Sequence, residues 1–157
     1  MGEHATAVQE RLRDELATRR PGREWHTEHR VGGTPVDVAG ASADALALVE
    51  LEWRRADPAD NTAKLFRHLA DGRFDAERVT VCQVFTAYYD LASGGVSSKR
   101  RNAEFVGDAA ARAFDRFDYR PVDLPLGPPK RGGDLPDEWE RATATAADAV
   151  ADALTER

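Results

Sequence analysis

The sequence predicts one α/β domain, a mixed β-sheet flanked by helices, and three observations lead there. The chain opens with apolar residues at helical spacing. Three short strand-like runs, separated by glycine-containing turns, then follow without a helix between them. From there helical and strand-like segments alternate to the end. A length of 157 residues supplies one ordinary core, and 41% hydrophobic residues let it form without cross-links.

Taken in order, residues 5–19 read as a helix, with Val8, Leu12 and Leu16 on one face and Arg20-Pro21-Gly22 ending it. A strand is expected over Glu24–Val31, closed by Gly32-Gly33. Thr34–Ala39 and Ala45–Trp53 form a hairpin through Gly40-Ala41-Ser42-Ala43-Asp44. Asp57-Pro58 starts the next helix, the aspartate capping it and proline filling its first turn. That helix turns Leu65, Phe66 and Leu69 to the core and stops near Gly72. Arg78–Ala87 is a strand of the buried type. Residues 97–117 are helical through Phe105, Val106, Ala109, Ala113 and Phe114, and Tyr119–Leu124 is a short strand. Pro125 to Pro136, with four prolines and three glycines, is a loop, and an alanine-rich helix over Leu135–Arg157 ends the chain. The order is αβββαβαβ plus a final helix.

Composition narrows the chemistry. The single cysteine, Cys82, excludes an internal disulfide and a cysteine-based zinc site, and its apolar surroundings make it a buried small hydrophobe. No apolar run is long enough to span a membrane, and the start lacks the pattern of a signal peptide, so a cytoplasmic protein is expected. The net charge is −6, and only three of the 22 basic residues are lysine: Lys64, Lys99 and Lys130. Adaptation to high salt and a GC-rich coding bias explain this equally well. An acidic surface opposes nucleic-acid binding at low salt and much less in concentrated salt, where fields are screened.

Three carboxylates stand out. In Ala45–Trp53 the alternation of faces puts Glu50 and Glu52 on one side with Leu46 and Leu48, and Val49, Leu51 and Trp53 on the other. Asp37 interrupts the neighbouring strand between Val36 and Val38. A turn at Ala43-Asp44 would pair residues whose numbers sum to 87, setting Asp37 opposite Glu50. Carboxylates gathered on one apolar-flanked face repel unless a cation neutralises them, and hard divalent ions take such oxygen donors. Solvent-facing acidic residues screened by arginines are the alternative.

Pro35-Val36-Asp37, twelve intervening residues, and Glu50-Leu51-Glu52 together resemble the motif of the PD-(D/E)XK nucleases. The element order is likewise similar to the restriction endonuclease-like core. Glu52 stands where that family has lysine. The string Val49-Glu50-Leu51-Glu52-Trp53 is similar to the glutamate-x-glutamate-tryptophan variant of BamHI-type restriction endonucleases. The resemblance implies Mg²⁺, with Mn²⁺ as an alternative, held by Asp37 and Glu50 with the carbonyl of Leu51. It further implies that Glu52 orients or deprotonates the attacking water or holds a second metal, and that a first-helix glutamate assists, for which Glu15 is the choice and Glu10 the reserve. Lys64, on the following helix with Asn61 and His68, is the candidate for the missing positive charge.

Other polar groups are weaker candidates. His26, Glu28 and His29 read as edge-strand polarity. Lys99-Arg100-Arg101, Arg54-Arg55 and Lys130-Arg131 could follow a phosphate backbone, whereas Tyr88, Tyr89, Trp25 and Trp139 read as core or margin aromatics. The expected function is a Mg²⁺-dependent DNA endonuclease acting as a homodimer, since two strands need two sites. The alternatives are a non-catalytic module of the same fold that binds nucleic acid or assembles with protein, and an interaction domain of another fold.

Overall fold

A computed structural model describes residues 2–72 and 75–155 of the chain. Glu156 and Arg157, the end expected for the last helix, and Met1 lie outside the described residues. The order of elements matches the expectation: α1 (Glu3–Arg19), β1 (Glu24–Val31), β2 (Thr34–Ala41), β3 (Ala45–Glu52), α2 (Pro58–Ala70), β4 (Arg78–Thr86), α3 (Ser98–Ala113), β5 (Phe117–Leu124) and α4 (Trp139–Thr155). The five strands lie in sequence order in one mixed sheet. β1, β2 and β3 form an antiparallel meander, and β3, β4 and β5 run parallel because helices cross between them.

Alternation along β3 assigns the layers. Ala47, Val49 and Leu51 pack with Val8, Leu12 and Leu16 of α1 and with Ala146, Ala147 and Val150 of α4. Leu46 and Leu48 pack on the opposite face with Leu65, Phe66 and Leu69 of α2 and with Tyr119. The three α1 side chains are fully buried, a contribution of about 1.5–3 kcal/mol each. Asp57 caps α2 by accepting from the Asp60 N–H at 3.3 Å, with Pro58 in the first turn. Cys82, at the middle of β4, is fully buried, and burial pushes its thiol up to about 12, which rules it out as a nucleophile.

Two elements depart from the sequence reading. α3 stops at Ala113 rather than 117, because Phe114 is extended and β5 already begins at Phe117. Its inward face is also not the one its large apolar residues suggest. Phe105 is 69% exposed, while Arg100, Ala103 and Gly107 face inward. The Tyr119 ring lies directly on Gly107, so close that a Cβ there would meet it at 2.4 Å. Small residues let the helix approach the sheet, and Phe105 is left outside. α4 begins at Trp139, four residues later than expected, after the proline-rich loop.

Candidate functional site

The sheet brings Asp37 and Glu50 together in the register expected. Val38 pairs with Val49, Ala39 with Leu48, Gly40 with Ala47 and Ala41 with Leu46, every pair summing to 87. The ladder ends at Val38 and Val49, one step before Asp37. There Leu51, which pairs with Val84 of β4 but with no residue of β2, donates its N–H to Asp37 Oδ2 at 2.7 Å. β2 is released on its other side too. Thr27 pairs with Val38 and His29 with Val36, but the step between them, Glu28 against Asp37, is skipped. Glu28 has φ +54°, the one described non-glycine residue with positive φ, a conformation costing about 1–3 kcal/mol.

All three carboxylates are more deeply buried than a half-exposed face would give: Asp37 is 6%, Glu50 3% and Glu52 0% exposed. Burial, followed by the charges of Asp37 and Glu52, holds Glu50 well above the usual carboxylate range. Asp37 is raised chiefly by burial, an effect opposed by the Leu51 N–H and by a hydrogen bond with Glu50, and reinforced by the nearby charge of Glu28. The two carboxyls are hydrogen-bonded to each other, and the raised proton affinity of both reflects the cost of burying two acids together. Glu50 Oε1 is buried with no hydrogen-bond partner among the described residues.

Glu52 has a different environment. Its Oε1 accepts from Asn61 Nδ2 at 2.8 Å and from Gln83 Nε2 at 3.1 Å. Gln83 Oε1 in turn accepts from Thr62 Oγ1 at 3.0 Å and from the Tyr119 hydroxyl at 2.6 Å. Glu52 Oε2 lies 3.2 Å from Nε of Arg55, a charge pair without hydrogen-bond alignment. Burial raises the Glu52 carboxyl, and the two amides and Arg55 pull it back. The charge of Arg55 favours the ionised form of Asp37 as well.

The remaining candidates fall elsewhere. Glu15 is held by Arg19 at 3.1 Å and by Arg11 at 3.6 Å, on the side of α1 where Arg11 and Arg19 also reach α4. Elsewhere on the first helix, Gln9 is 2% exposed and its Nε2 lies 3.4 Å from Glu28 Oε1. Lys64 is exposed, and among the described residues it has no bond to any of the three carboxylates. Of its two companions on α2, Asn61 reaches Glu52, while His68 packs against Gly32. His26 pairs with Glu24 on the edge strand, as edge polarity would have it.

The donor set suits a hard divalent cation in kind: two buried carboxyls face each other and one oxygen is left unpartnered. It is short in number, because among the described residues no three His, Cys, Asp or Glu side chains are grouped to hold an ion. Asp37 and Glu50 would hold it, whereas Glu52 is turned to Asn61, Gln83 and Arg55.

Sequence reasoning did not single out Gln83, although a glutamine inside the run Val79–Phe85, opposite Glu50 in the parallel register, is a visible signal. Among the described residues no helix is long and apolar enough to cross a membrane. No family model and no curated protein matches the chain. One solved structure that resembles it is Pyrococcus furiosus SfsA in complex with Ca²⁺, at 13% identity and a TM-score of 0.43. The match covers 76% of this chain and 56% of that one, so the chain spans a little over half of its length.

Proposed function

We propose that the chain is a Mg²⁺-dependent nuclease of the PD-(D/E)XK type that hydrolyses phosphodiester bonds in DNA. The observation that carries this reading is the buried pair Asp37 and Glu50, two carboxyls forced together with one oxygen unpartnered. Such a pair is costly in the absence of a cation and is relieved by one. Mn²⁺ would serve the same donors.

When bound, Mg²⁺ supplies an activated water and charge stabilisation at the phosphate. The protein's own groups do the rest. Asp37 and Glu50 would hold the ion, both as ionised carboxylates. Asn61 and Gln83 fix Glu52 through Oε1, leaving Oε2 as the atom that takes a proton from the attacking water. A carboxylate raised by burial is a better base near neutrality than a solvated one. Arg55, beside Glu52, neutralises the phosphate and takes the role the family gives to lysine. Cutting both strands would require two copies related by a two-fold axis.

A second reading, a non-catalytic module of this fold that binds nucleic acid or protein, is favoured by the lack of a three-ligand group among the described residues. Plasmid DNA incubated with Mg²⁺ or Mn²⁺ at low and high salt separates the two. Cleavage that Glu50→Ala abolishes supports the enzyme. No cleavage under any of these conditions gives the module.

A further inference from the structure

The parallel strands end together, and what they carry at that end extends the carboxylate site. Glu52 closes β3, and Thr86 closes β4 with its hydroxyl bound to Trp53 O at 2.6 Å. The chain then makes a single 3₁₀ turn over Ala87–Tyr89. In open α/β sheets, ligands bind outside this carboxyl end. The Tyr89 hydroxyl accepts from the Arg55 N–H at 2.6 Å, so this turn is tied to the segment that sets Arg55 beside Glu52.

The two tyrosines of the turn differ. Tyr89 is fully buried and stands edge-on to Phe85, a core residue as the sequence suggested. Tyr88 is 45% exposed, braced edge-on by Tyr89 with ring centres 5.1 Å apart. Lys99 Nζ lies over its ring, 5.8 Å from the centre. Arg100 next to it is consumed by Glu104 and Asp123, each at 2.7 Å, but Lys99 and Arg101 have no acidic partner among the described residues. Arg54 bonds the carbonyl of Pro129, which brings the loop bearing Lys130 and Arg131 to the same end. Within a chain of net charge −6, an exposed ring braced by Tyr89 with the Lys99 ammonium over it is a place where an aromatic face and a cation meet.

We propose that Tyr88 and Lys99 form a nucleotide subsite beside the carboxylates, in which Tyr88 stacks a base of single-stranded DNA and Lys99 pairs with its phosphate. A braced aromatic face with a cation at its side is what successive unpaired nucleotides need, and a base inside a duplex cannot offer its face to it. The substrate class is then a single strand or a frayed end rather than a continuous duplex. This rests on the nuclease reading for its link to cleavage, but not for the binding itself.

Anisotropy of a fluorescein-labelled oligo-dT strand, measured with the full chain in EDTA, isolates binding from catalysis. Single strand is expected to bind more tightly than a blunt duplex of equal length. Tyr88→Leu is expected to weaken binding roughly tenfold, with Tyr88→Trp retaining it. Lys99→Ala is expected to lower the log–log salt slope by about 0.7. Far-UV circular dichroism and a thermal midpoint matching the parent ensure that the variants report binding rather than misfolding. Wild-type protein that does not bind the strand, equal binding of duplex, or an unaffected Tyr88→Leu overturns the subsite. Tyr88-dependent binding by a protein that cleaves nothing overturns the nuclease reading and leaves the subsite standing.

Discussion

The backbone N–H of Leu51 donates to the carboxylate of Asp37 at 2.7 Å, just where β2 ceases to pair with β3. A side chain thereby does the work of a strand: the amide that the ladder would have satisfied is satisfied by the group that is also a candidate metal ligand. The roles can be separated. Asp37→Asn keeps an acceptor for Leu51 and removes the charge, whereas Asp37→Ala strands a buried N–H. Urea denaturation without metal should find the alanine variant about 1–3 kcal/mol less stable than the asparagine variant. Both should lose Mg²⁺-dependent cleavage.

Glu50 makes stability depend on pH. Its folded-state proton affinity is raised by burial and by its acidic neighbours, above a reference value of 4.5. The stabilisation from that proton is fully present below the reference value and is lost as pH rises through the higher folded one. Metal-free protein should therefore become less stable as the solution is taken from acid toward neutral pH. Glu50→Gln should flatten this dependence and raise stability at pH 8. A wild-type and variant pair with parallel stability-versus-pH curves would contradict it.

Metal binding should run the same linkage backwards. Both acids bind a proton more tightly than free carboxyls, and a divalent ion needs them ionised, so calorimetric titration with Mg²⁺ in two buffers of different ionisation enthalpy should reveal proton release. The release should disappear in Glu50→Gln. Heats that are identical in the two buffers would show that ion binding displaces no proton.

Arg55 and Lys64 compete for one role. Arg55 is 3.2 Å from Glu52, whereas Lys64 is exposed on α2. Arg55→Ala should lower the cleavage rate by roughly 100-fold, the loss seen when one electrostatic stabiliser is removed. Arg55→Lys should recover part of it, and Lys64→Ala should change it little. The reverse pattern in single-turnover rates would give the charge to Lys64.

Gly107 reaches the site at a distance. A methyl group there would meet the Tyr119 ring at 2.4 Å, and the Tyr119 hydroxyl holds Gln83, which holds Glu52. Gly107→Ala should cost about 1–3 kcal/mol in stability through overpacking. It should also lower activity more than Phe105→Ala, a change on the outer face of the same helix.

Much of this was legible in the sequence because strands obey a period of two. The short turn after Ala41 set the 87 sum, and apolar flanks marked Glu50 and Glu52 as turned inward. What was not legible depended on how helices rotate against the sheet. α3 was expected to use its phenylalanine, but it packs through Ala103 and Gly107, since close approach to Tyr119 needs small residues. Glu15 looked well placed on the margin of the α1 stripe, yet that margin faces α4, where Arg19 holds it. Gln9 lies on the opposite margin and had no charge to draw notice. Arg55 was visible only as half of a basic pair, because a loop's direction after a strand is fixed by contacts such as the one with Tyr89.

The burial of Cys82 has a practical consequence. With the chain's one thiol sealed in the middle of β4 and kept protonated, a thiol-reactive dye will pass it by in the folded protein. A cysteine introduced on the surface, at Leu91 or Phe105 for example, would then be the sole site of attachment. Paired fluorophores could follow a strand of DNA onto this molecule with no native residue first removed.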